Sequence, residues 1–473
     1  MGMILSKKVR NAWSDITFKD VIKSISGTEQ DFTSGSLGKA IVLLAIPMVL
    51  EMLMESIFAL ADIFFVSKLG TAAIATVGIT ESMMTLMYAV AVGLSSATSA
   101  VISRRIGEKN KHGASVSSVQ AIIIAVGFSI LIAIPGSIYA KQLLYLMGAG
   151  EDVLNGYMYT RIMFGGNIVI MLLFVINAIF RSAGDAAISF RILFIANIIN
   201  IILDPCLIFG LGPFPALGVK GAAIATNTGR GLAVIYQLYL LFFGNLRVKI
   251  KLRHIKVHIQ ILWDIFKLSW GGIGQHLIAT GSWVIMIRIL SYFGDNVVAA
   301  YTVAIRIILF TILPSWGLSN AASTLVGQNL GAKKPERAEK SIWLTSYTNM
   351  IFLGIISIIL ISFPEFFIGL VSSNELILND AAICLRFISY GFVMYGIGMV
   401  MMQSINGSGD TTTPTYINIL CYLIIEIPLA LLLAVIFRLG PEGVYLAILI
   451  AECLLTLSGY YIIRKGKWKY NEV

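Results

Sequence analysis

Seven acidic residues lie inside long apolar stretches of this 473-residue sequence, where an ionised carboxylate is costly. They are Glu51, Glu55, Asp62, Glu81, Asp204, Glu426 and Glu452. A charged side chain at the centre of a bilayer costs on the order of 2.5–3.5 kcal/mol, so such residues usually line a bundle interior or a transport pathway. These carboxylates are therefore the first candidates for function.

The first apolar stretch carries three of these acids on one helical face. At about 100° per residue, Glu51, Glu55 and Asp62 fall within a narrow stripe. Carboxylates stacked in this way repel one another when ionised, and a bound proton or metal cation would relieve the repulsion. Pro47, one turn earlier, adds a bend and frees a backbone carbonyl. The alternative is that Glu51 and Glu55 lie near the lipid headgroups at a helix end.

A second polar set occurs in the fifth apolar stretch, where Asn197, Asn200 and Asp204 precede Pro205. Steps of three and four residues put the first three on one face, and Pro205 leaves the carbonyl of Ile201 without its usual donor. A carboxylate, amide oxygens and a free carbonyl suit Na⁺, or a carboxyl group that gains and loses a proton. The alternative is hydrogen bonding between helices. Three further polar residues could complete the set: Asn177, Thr226 and Tyr159.

Other chemistry has little support in the sequence. The four cysteines have no CxxC spacing and the four histidines do not cluster with them, so neither a disulfide framework nor a permanent metal site is predicted. No nucleophile–base pair or phosphate-cradling glycine loop is present, which argues against an enzyme. We expect no cofactor, and the only metal expected is a transient Na⁺ at Asp62, Asn200 and Asp204.

Composition defines the elements that must position these residues. Only 13% of residues are charged and 57% are hydrophobic, with a mean hydropathy of +0.85, which excludes a soluble globular protein. Twelve apolar segments are long enough to cross a bilayer, and their continuous character favours helices over a barrel. The predicted spans 1 to 12 are 37–66, 72–102, 115–140, 159–180, 187–210, 219–243, 260–290, 297–327, 342–370, 383–405, 414–437 and 443–463.

Basic residues predict the orientation. Lys and Arg concentrate in the N-terminal arm and in the segments after even-numbered spans, which places both termini in the cytoplasm of a multi-pass cell-membrane protein. The net charge of +10 is therefore an orientation signal, and no nucleic-acid partner is expected. The first 36 residues lack the apolar core of a signal peptide. A short amphipathic helix is predicted there from Trp13, Ile16, Phe18, Val21 and Ile22.

The chain repeats itself at a near-constant offset. The segment from Gly93 to Gly107 matches that from Gly317 to Gly331, and Arg181–Asp185 matches Asn406–Asp410. An all-α membrane protein follows, with twelve transmembrane helices in two six-helix lobes around a central cavity, related by a pseudo-twofold axis along the membrane normal. The predicted parts are a cytoplasmic arm at 1–36, an N-lobe at 37–243, a linker at 244–259, a C-lobe at 260–464 and a cytoplasmic tail at 465–473.

Four segments in this order resemble the multidrug and toxic compound extrusion (MATE) family, and the likeness extends from Leu37 to Arg464. They are Ala61-Asp62-Ile63-Phe64-Phe65-Val66, Arg181-Ser182-Ala183-Gly184-Asp185, Asn200-Ile201-Ile202-Leu203-Asp204-Pro205 and Gly221-Ala222-Ala223-Ile224-Ala225-Thr226. The chain is more similar to the prokaryotic DinF branch, which implies a bacterial or archaeal source. That likeness implies an N-lobe cation site at Asp62, Asn177, Asn200, Asp204 and Thr226.

The second half lacks such a site. Met286 and Leu429 occupy the positions that match Asp62 and Asp204, and the span 7 and span 10 acids of the NorM branch have no counterpart. Cation chemistry is therefore expected in the N-lobe, with Glu55 as an added acid.

The resemblance implies an antiporter that exports amphipathic, often cationic compounds in exchange for H⁺ or Na⁺ by alternating access. Its expected partners are small-molecule substrates and the lipid bilayer, and a monomer is expected. The main alternative is a lipid-linked oligosaccharide flippase of the same superfamily, although its pyrophosphate would need a basic cavity and these spans carry more acid than base at mid-depth. A membrane-embedded enzyme and a channel are weaker alternatives.

Overall fold

The computed structural model describes residue 13 and residues 16–27, 31–371 and 375–471. Of the predicted arm, residues 1–12, 14–15 and 28–30 lie outside the described residues, as do residues 472–473 of the predicted tail. Of the predicted amphipathic helix, Phe18, Val21 and Ile22 lie in a helix from Phe18 to Ser26, whereas Ile16 precedes it; this helix is called the N-terminal helix below.

Twelve helical spans follow, and the predicted twelve-helix, two-lobe fold is confirmed. Spans 1 to 6 are Leu37–Ser67, Thr71–Gly107, Lys111–Ile138, the pair Tyr157–Gly165 and Asn167–Ala183, Ala186–Phe209 and Val219–Phe243. Spans 7 to 12 are Ile259–Leu290, Asp295–Gly331, Pro335–Ser362, the pair Glu375–Tyr390 and Phe392–Gly407, Thr412–Ile436 and Pro441–Lys465.

Length and apolar composition alone do not identify all twelve helical spans as membrane-crossing. In the described part of the chain, nine single helices are long and apolar enough to cross a membrane, or up to eleven if each bent pair is one span. Span 6 is the remaining helix, and Lys220 and Arg230 lie within its 25 residues. Each lobe has six spans at matching positions. Span 6 is therefore identified as a span by its position in the fold, because its hydropathy alone is too low.

The two lobes break their helices at matching places. Span 4 bends by 42° and span 10 by 52°, and short helices, Ala140–Leu146 and Pro364–Val371, follow spans 3 and 9. The predicted single spans at 115–140 and 342–370 were wrong on this point, since each ran into the following short helix. Pro364 starts a new helix because proline is favoured in a first helical turn, where its missing N–H has no helical acceptor.

The lobes meet at the end of the bundle where span 1 begins and span 12 ends, which we call the terminus face. A Cβ atom on Gly272 of span 7 would lie 2.8 Å from the Cα atom of Gly93, and one on Gly317 would lie 2.6 Å from the backbone nitrogen of Val49 on span 1. Glycine at these positions therefore lets the helix backbones of opposite lobes touch.

The same pattern recurs one layer closer to the terminus face. A Cβ atom on Gly107 would collide with the carbonyl oxygen of Gln328, and one on Gly331 would collide with that of Arg104. Gly93, Gly107, Gly317 and Gly331 together form the glycine seam. The seam closes the gap between the lobes at the terminus face. Any space between the lobes therefore lies on the other side of the seam, toward the opposite end of the bundle.

Candidate functional site

A cavity of about 560 Å³ lies between the lobes and is lined by residues of both. Its volume is within the range of small-molecule pockets. The wall is largely aromatic and apolar, with Tyr88, His276, Trp316, Tyr395, Met399, Met402 and Tyr422. Three other methionines of the spans, Met84, Met87 and Met401, are buried in hydrophobic clusters and do not line the cavity. One acid of the C-lobe, Glu452, also lines the cavity and accepts a hydrogen bond from the Tyr422 hydroxyl at 3.0 Å.

A buried ion pair lines the N-lobe side of this cavity. The guanidinium of Arg181 lies 2.7 Å from the Glu51 carboxylate, and both side chains are less than a tenth exposed. Asn177 donates a further hydrogen bond to Glu51 at 3.1 Å, and Arg181 also reaches the hydroxyl of Ser95. The charge of Glu51 is thus balanced by arginine, and its predicted part in binding a cation or substrate stays a prediction.

Glu55 is paired in the same way, with Arg230 of span 6 at 2.9 Å. The guanidinium of Arg230 also lies 4.5 Å from the centroid of the Phe58 ring, a cation–π contact. The two acids at the start of the predicted stripe therefore each have an arginine partner. The signal was present in the sequence, because an arginine within an apolar span requires a partner, but the sequence alone does not say which acid it meets.

The C-lobe carries an uncharged version of the Glu51–Arg181 pair. At the repeat positions that match them stand Gln275 and Asn406, whose side-chain amides exchange two hydrogen bonds of 3.0 Å. The cavity therefore has a charged pair on one lobe and a neutral pair at the matching place on the other. The absence of an acid on span 7 is evident from the sequence, whereas this amide pair between distant residues is not.

Asp204 forms the centre of a second group within the N-lobe. Its side chain is fully buried, and Asn200, one helical turn earlier, donates to its carboxylate. With the Asn200 amide oriented to satisfy both neighbours, this bond is 3.1 Å long and the amide oxygen accepts from the backbone N–H of Thr226 at 3.2 Å. The structure thus brings together three of the predicted site residues.

Asp62 joins this group through electrostatic interaction with Asp204, and it also interacts with Arg230, without an ion pair between them within 4 Å. Its side chain is buried, and its Oδ1 atom has no hydrogen-bond partner among the described residues. Tyr159, which is also buried, interacts electrostatically with both aspartates. Glu81 of span 2 belongs to the same neighbourhood, because it interacts with Asp62 and with Arg230. In the sequence Glu81 is recognisable as an acid within a span, but helical spacing does not connect it to the aspartates.

Three other predicted residues lie apart from this group. Asn177 bonds to Glu51 and to Gln237, not to Asp204. Asn197 donates to the backbone carbonyl of Met54 at 3.0 Å and so ties span 5 to span 1. Pro47 lies within the span 1 helix, next to the segment that Gly317 contacts. No cluster of three or more His, Cys, Asp or Glu side chains suited to a metal ion occurs in the described ranges.

The Glu51–Arg181 pair allows a direct test of stability. We expect Glu51→Gln to destabilise the protein by about 3–5 kcal/mol, because it leaves the buried guanidinium of Arg181 without its counter-charge. The double variant Glu51→Leu with Arg181→Met should recover most of that loss, since it removes both charges. The measurement is thermal unfolding of the purified protein in detergent.

The control is the exposed pair Glu365–Arg386, whose side chains are 50% and 40% exposed. Glu365→Gln should change stability by less than about 1 kcal/mol, because solvent screens this pair. Equal effects of Glu51→Gln and Glu365→Gln would contradict the assignment of a buried, mutually dependent pair.

Two six-helix lobes that enclose a shared cavity within a membrane-spanning bundle define a multi-pass membrane transporter. The sequence profile of the MatE family matches residues 47–206 and 273–432, one segment in each lobe. The chain belongs to the MatE family, whose members are transporters and not enzymes.

Relatives cover nearly the whole chain. An FAD transporter from Shewanella oneidensis is 28% identical over 441 residues, which are 91% of this chain and 95% of that protein. The probable multidrug resistance protein YoeA of Bacillus subtilis is 25% identical over 448 residues, covering 93% and 96%. The multidrug export protein MepA of Staphylococcus saprophyticus is 25% identical over 443 residues, covering 91% and 94%.

Solved structures agree with the fold. A MOP superfamily transporter from Pyrococcus furiosus is 27% identical and superposes with a TM-score of 0.86, covering 95% of this chain and 98% of that one. The outward-facing conformation of a multidrug resistance MATE family transporter is 26% identical, with a TM-score of 0.85 and the same coverage.

Proposed function

We propose that this protein is a secondary active antiporter that exports amphipathic, often cationic compounds in exchange for H⁺ or Na⁺. The observation that carries the proposal is the pair Asp62 and Asp204, two buried carboxylates that interact with each other and have no ion-pair partner within the described residues. A proton or a cation would cancel the charge between them. Glu51 and Glu55, by contrast, already have arginines.

In the proposed coupling site, Asn200 donates to Asp204 and is itself held by Thr226, and Asp62 interacts electrostatically with Asp204. Tyr159 and Glu81 adjoin the aspartates, and a transient Na⁺ would use the oxygens of Asp62, Asn200 and Asp204. Asn177 is better assigned to the cavity lining, because it bonds to Glu51. Relatedness to the DinF branch remains a prediction.

The proposed cycle follows from differential affinity. With the terminus face in the cytoplasm, as the distribution of Lys and Arg indicates, both termini are cytoplasmic and the structure corresponds to an outward-facing state. Cation binding at the aspartates neutralises them and favours a bend of span 1 near Pro47 that shrinks the N-lobe side of the cavity. Substrate then leaves, and the inward-facing state releases the cation. We propose that a monomer in the plasma membrane of a bacterium or archaeon performs this cycle.

Cavity charge favours cationic substrates. Arg181 is the basic side chain among the lining residues and is engaged by Glu51, whereas Glu452 has no basic residue within ion-pair distance in the described part of the chain. The name of the Shewanella relative suggests a second candidate, export of FAD, and the aromatic wall would accept its flavin ring. A lipid-linked oligosaccharide is less well matched, because its pyrophosphate needs basic residues, and Arg181 of the lining is already engaged by Glu51.

The test is transport into everted membrane vesicles that contain the protein. We expect a fluorescent amphipathic cation to accumulate when a pH or Na⁺ gradient is imposed, and an ionophore that collapses the effective gradient to abolish accumulation. Parallel assays with FAD separate the two substrate classes. Transport that is independent of the gradient would contradict the proposal. Transport of FAD but of no cationic compound would also contradict it.

A further inference from the structure

The N-terminal helix exposes its apolar side and buries its polar side, the reverse of a helix packed on a soluble protein. Phe18, Ile22 and Ile25 are 77%, 53% and 36% exposed, and their spacing puts them on one face. Asp20 and Ser24, on another face, are buried at 3% and 2% exposure. The helix therefore meets the protein through polar contacts and presents an apolar stripe outward.

Specific contacts fix this orientation. The carboxylate of Asp20 lies 2.6 Å from the ammonium group of Lys39 in the first turn of span 1, and it also accepts hydrogen bonds from the backbone and hydroxyl of Thr17. These interactions lower the pKa of Asp20 to about 2, so the pair is charged at neutral pH. The apolar stripe therefore cannot rotate inward without breaking this ion pair.

The position of the helix places the stripe at the boundary of the bundle. It packs against the first turns of span 1 and span 5, which begin at Leu37 and Ala186 at the terminus face. Further along span 5, the residues Phe194, Ile195, Ile198 and Ile202 are exposed and form an apolar surface of the kind that contacts lipid tails. The stripe therefore lies toward the terminus-face end of a span whose outer surface is suited to contact with lipid.

Two lysines of the N-terminal helix lie beside its apolar stripe. Lys19 and Lys23 of the same helix are exposed and lie beside the apolar stripe, on neither the stripe nor the buried face. An amphipathic helix with apolar residues on one side and lysines at its flank is suited to the interface of an anionic lipid layer, where each basic residue contributes about 1 kcal/mol.

We propose that the N-terminal helix lies in the interfacial region of the membrane leaflet at the terminus face, with Phe18, Ile22 and Ile25 inserted among the lipids and Lys19 and Lys23 at anionic headgroups. Through Asp20 and Lys39 the helix then holds the first turn of span 1 at a defined depth. Span 1 is the helix that carries Pro47 and Asp62, so the lipid contact bears on the span that the proposed cycle bends. The docking itself does not depend on the proposed transport activity.

The test uses the full-length protein in liposomes, with a nitroxide at Ile22→Cys or, as the matched control, at the adjacent Lys23→Cys. The four native cysteines, all within spans, are first replaced by serine. We expect the label at position 22 to collide more with oxygen than with a water-soluble nickel complex, and the label at position 23 to show the opposite order. Replacing half of the phosphatidylcholine with phosphatidylglycerol should shift the label at position 22 deeper.

Two outcomes would overturn the proposal. Equal access of the nickel complex to both labels would mean that the helix lies free in water. Dipolar broadening at position 22 that grows with the protein-to-lipid ratio would mean that the stripe is covered by a second copy of the chain. Because the readout is label environment and not transport, failure here leaves the proposed function standing, and loss of transport leaves this proposal standing.

Discussion

Asp62→Asn and Asp204→Asn should each reduce gradient-driven transport to the level of uncoupled leakage. Asparagine keeps the size of aspartate, and at position 204 it can still hydrogen bond to Asn200, but it cannot take up a proton as a carboxylate does or balance the charge of Na⁺. A ligand that drives a two-state equilibrium from one side to the other must bind one state about 10⁴-fold more tightly, which corresponds to about 5.5 kcal/mol. Without a titratable carboxylate, the cation loses the difference in affinity that drives the cycle.

The measurement is accumulation of the fluorescent cation in everted vesicles under separate pH and Na⁺ gradients, normalised to the amount of protein in the membrane. Glu365→Gln is the matched control, since it also exchanges an acid for its amide but lies at an exposed position, and it should transport normally. Direct binding of substrate to the purified variants should persist, because the cavity wall is unchanged. Full gradient-driven transport by both aspartate variants would exclude them as the coupling site.

Alanine at Gly107 or Gly331 should prevent the lobes from closing at the terminus face. In each case the added Cβ atom would meet a backbone carbonyl oxygen of the opposite lobe, at Gln328 or Arg104, and a backbone atom cannot move aside as a flexible side chain can. The variants should therefore populate conformations in which the lobes are apart at this end. Transport should fall strongly, because alternating access requires both states.

Distances between spin labels measure this change. Labels at Lys111→Cys and Glu336→Cys, exposed positions at the terminus-face ends of spans 3 and 9, report the separation of the lobes. We expect a longer distance in the Gly107 and Gly331 variants than in the parent. Gly127→Ala and Gly281→Ala are controls, since nothing lies within 4 Å of the added atom at either position. An unchanged distance in the seam variants would show that the seam does not limit closure.

The fold was largely predictable because the bilayer imposes strong constraints on sequence. Apolar stretches and the internal repeat together predicted twelve spans in two lobes, and this fold was confirmed, although span 6 does not pass a test of length and composition. Helix ends were harder, because spans 2 and 8 continue to Gly107 and Gly331, beyond the apolar stretches at 72–102 and 297–327. There, lobe packing and not hydropathy sets the helix ends.

The candidate site divides in the same way between local and distant contacts. Asn200 and Asp204 are one turn apart, so their contact followed from helical spacing. The partners of Glu51 and Glu55 lie more than a hundred residues away, at Arg181 and Arg230, and helical spacing carries no information about such pairs. The sequence therefore identified the unusual charges but not which of them are neutralised.

The two arginine pairs have a consequence for the response to membrane voltage. Each pair has no net charge, so movement of the N-lobe carries Glu51 with Arg181 and Glu55 with Arg230 through the electric field without electrical work. By contrast, moving one uncompensated elementary charge across a membrane potential of about 100 mV changes its free energy by about 2.3 kcal/mol. The Gln275–Asn406 pair of the C-lobe is uncharged, so its movement in the electric field also requires no electrical work. Voltage therefore acts on the remaining carboxylates, on the ions they bind and on the charge of the cargo.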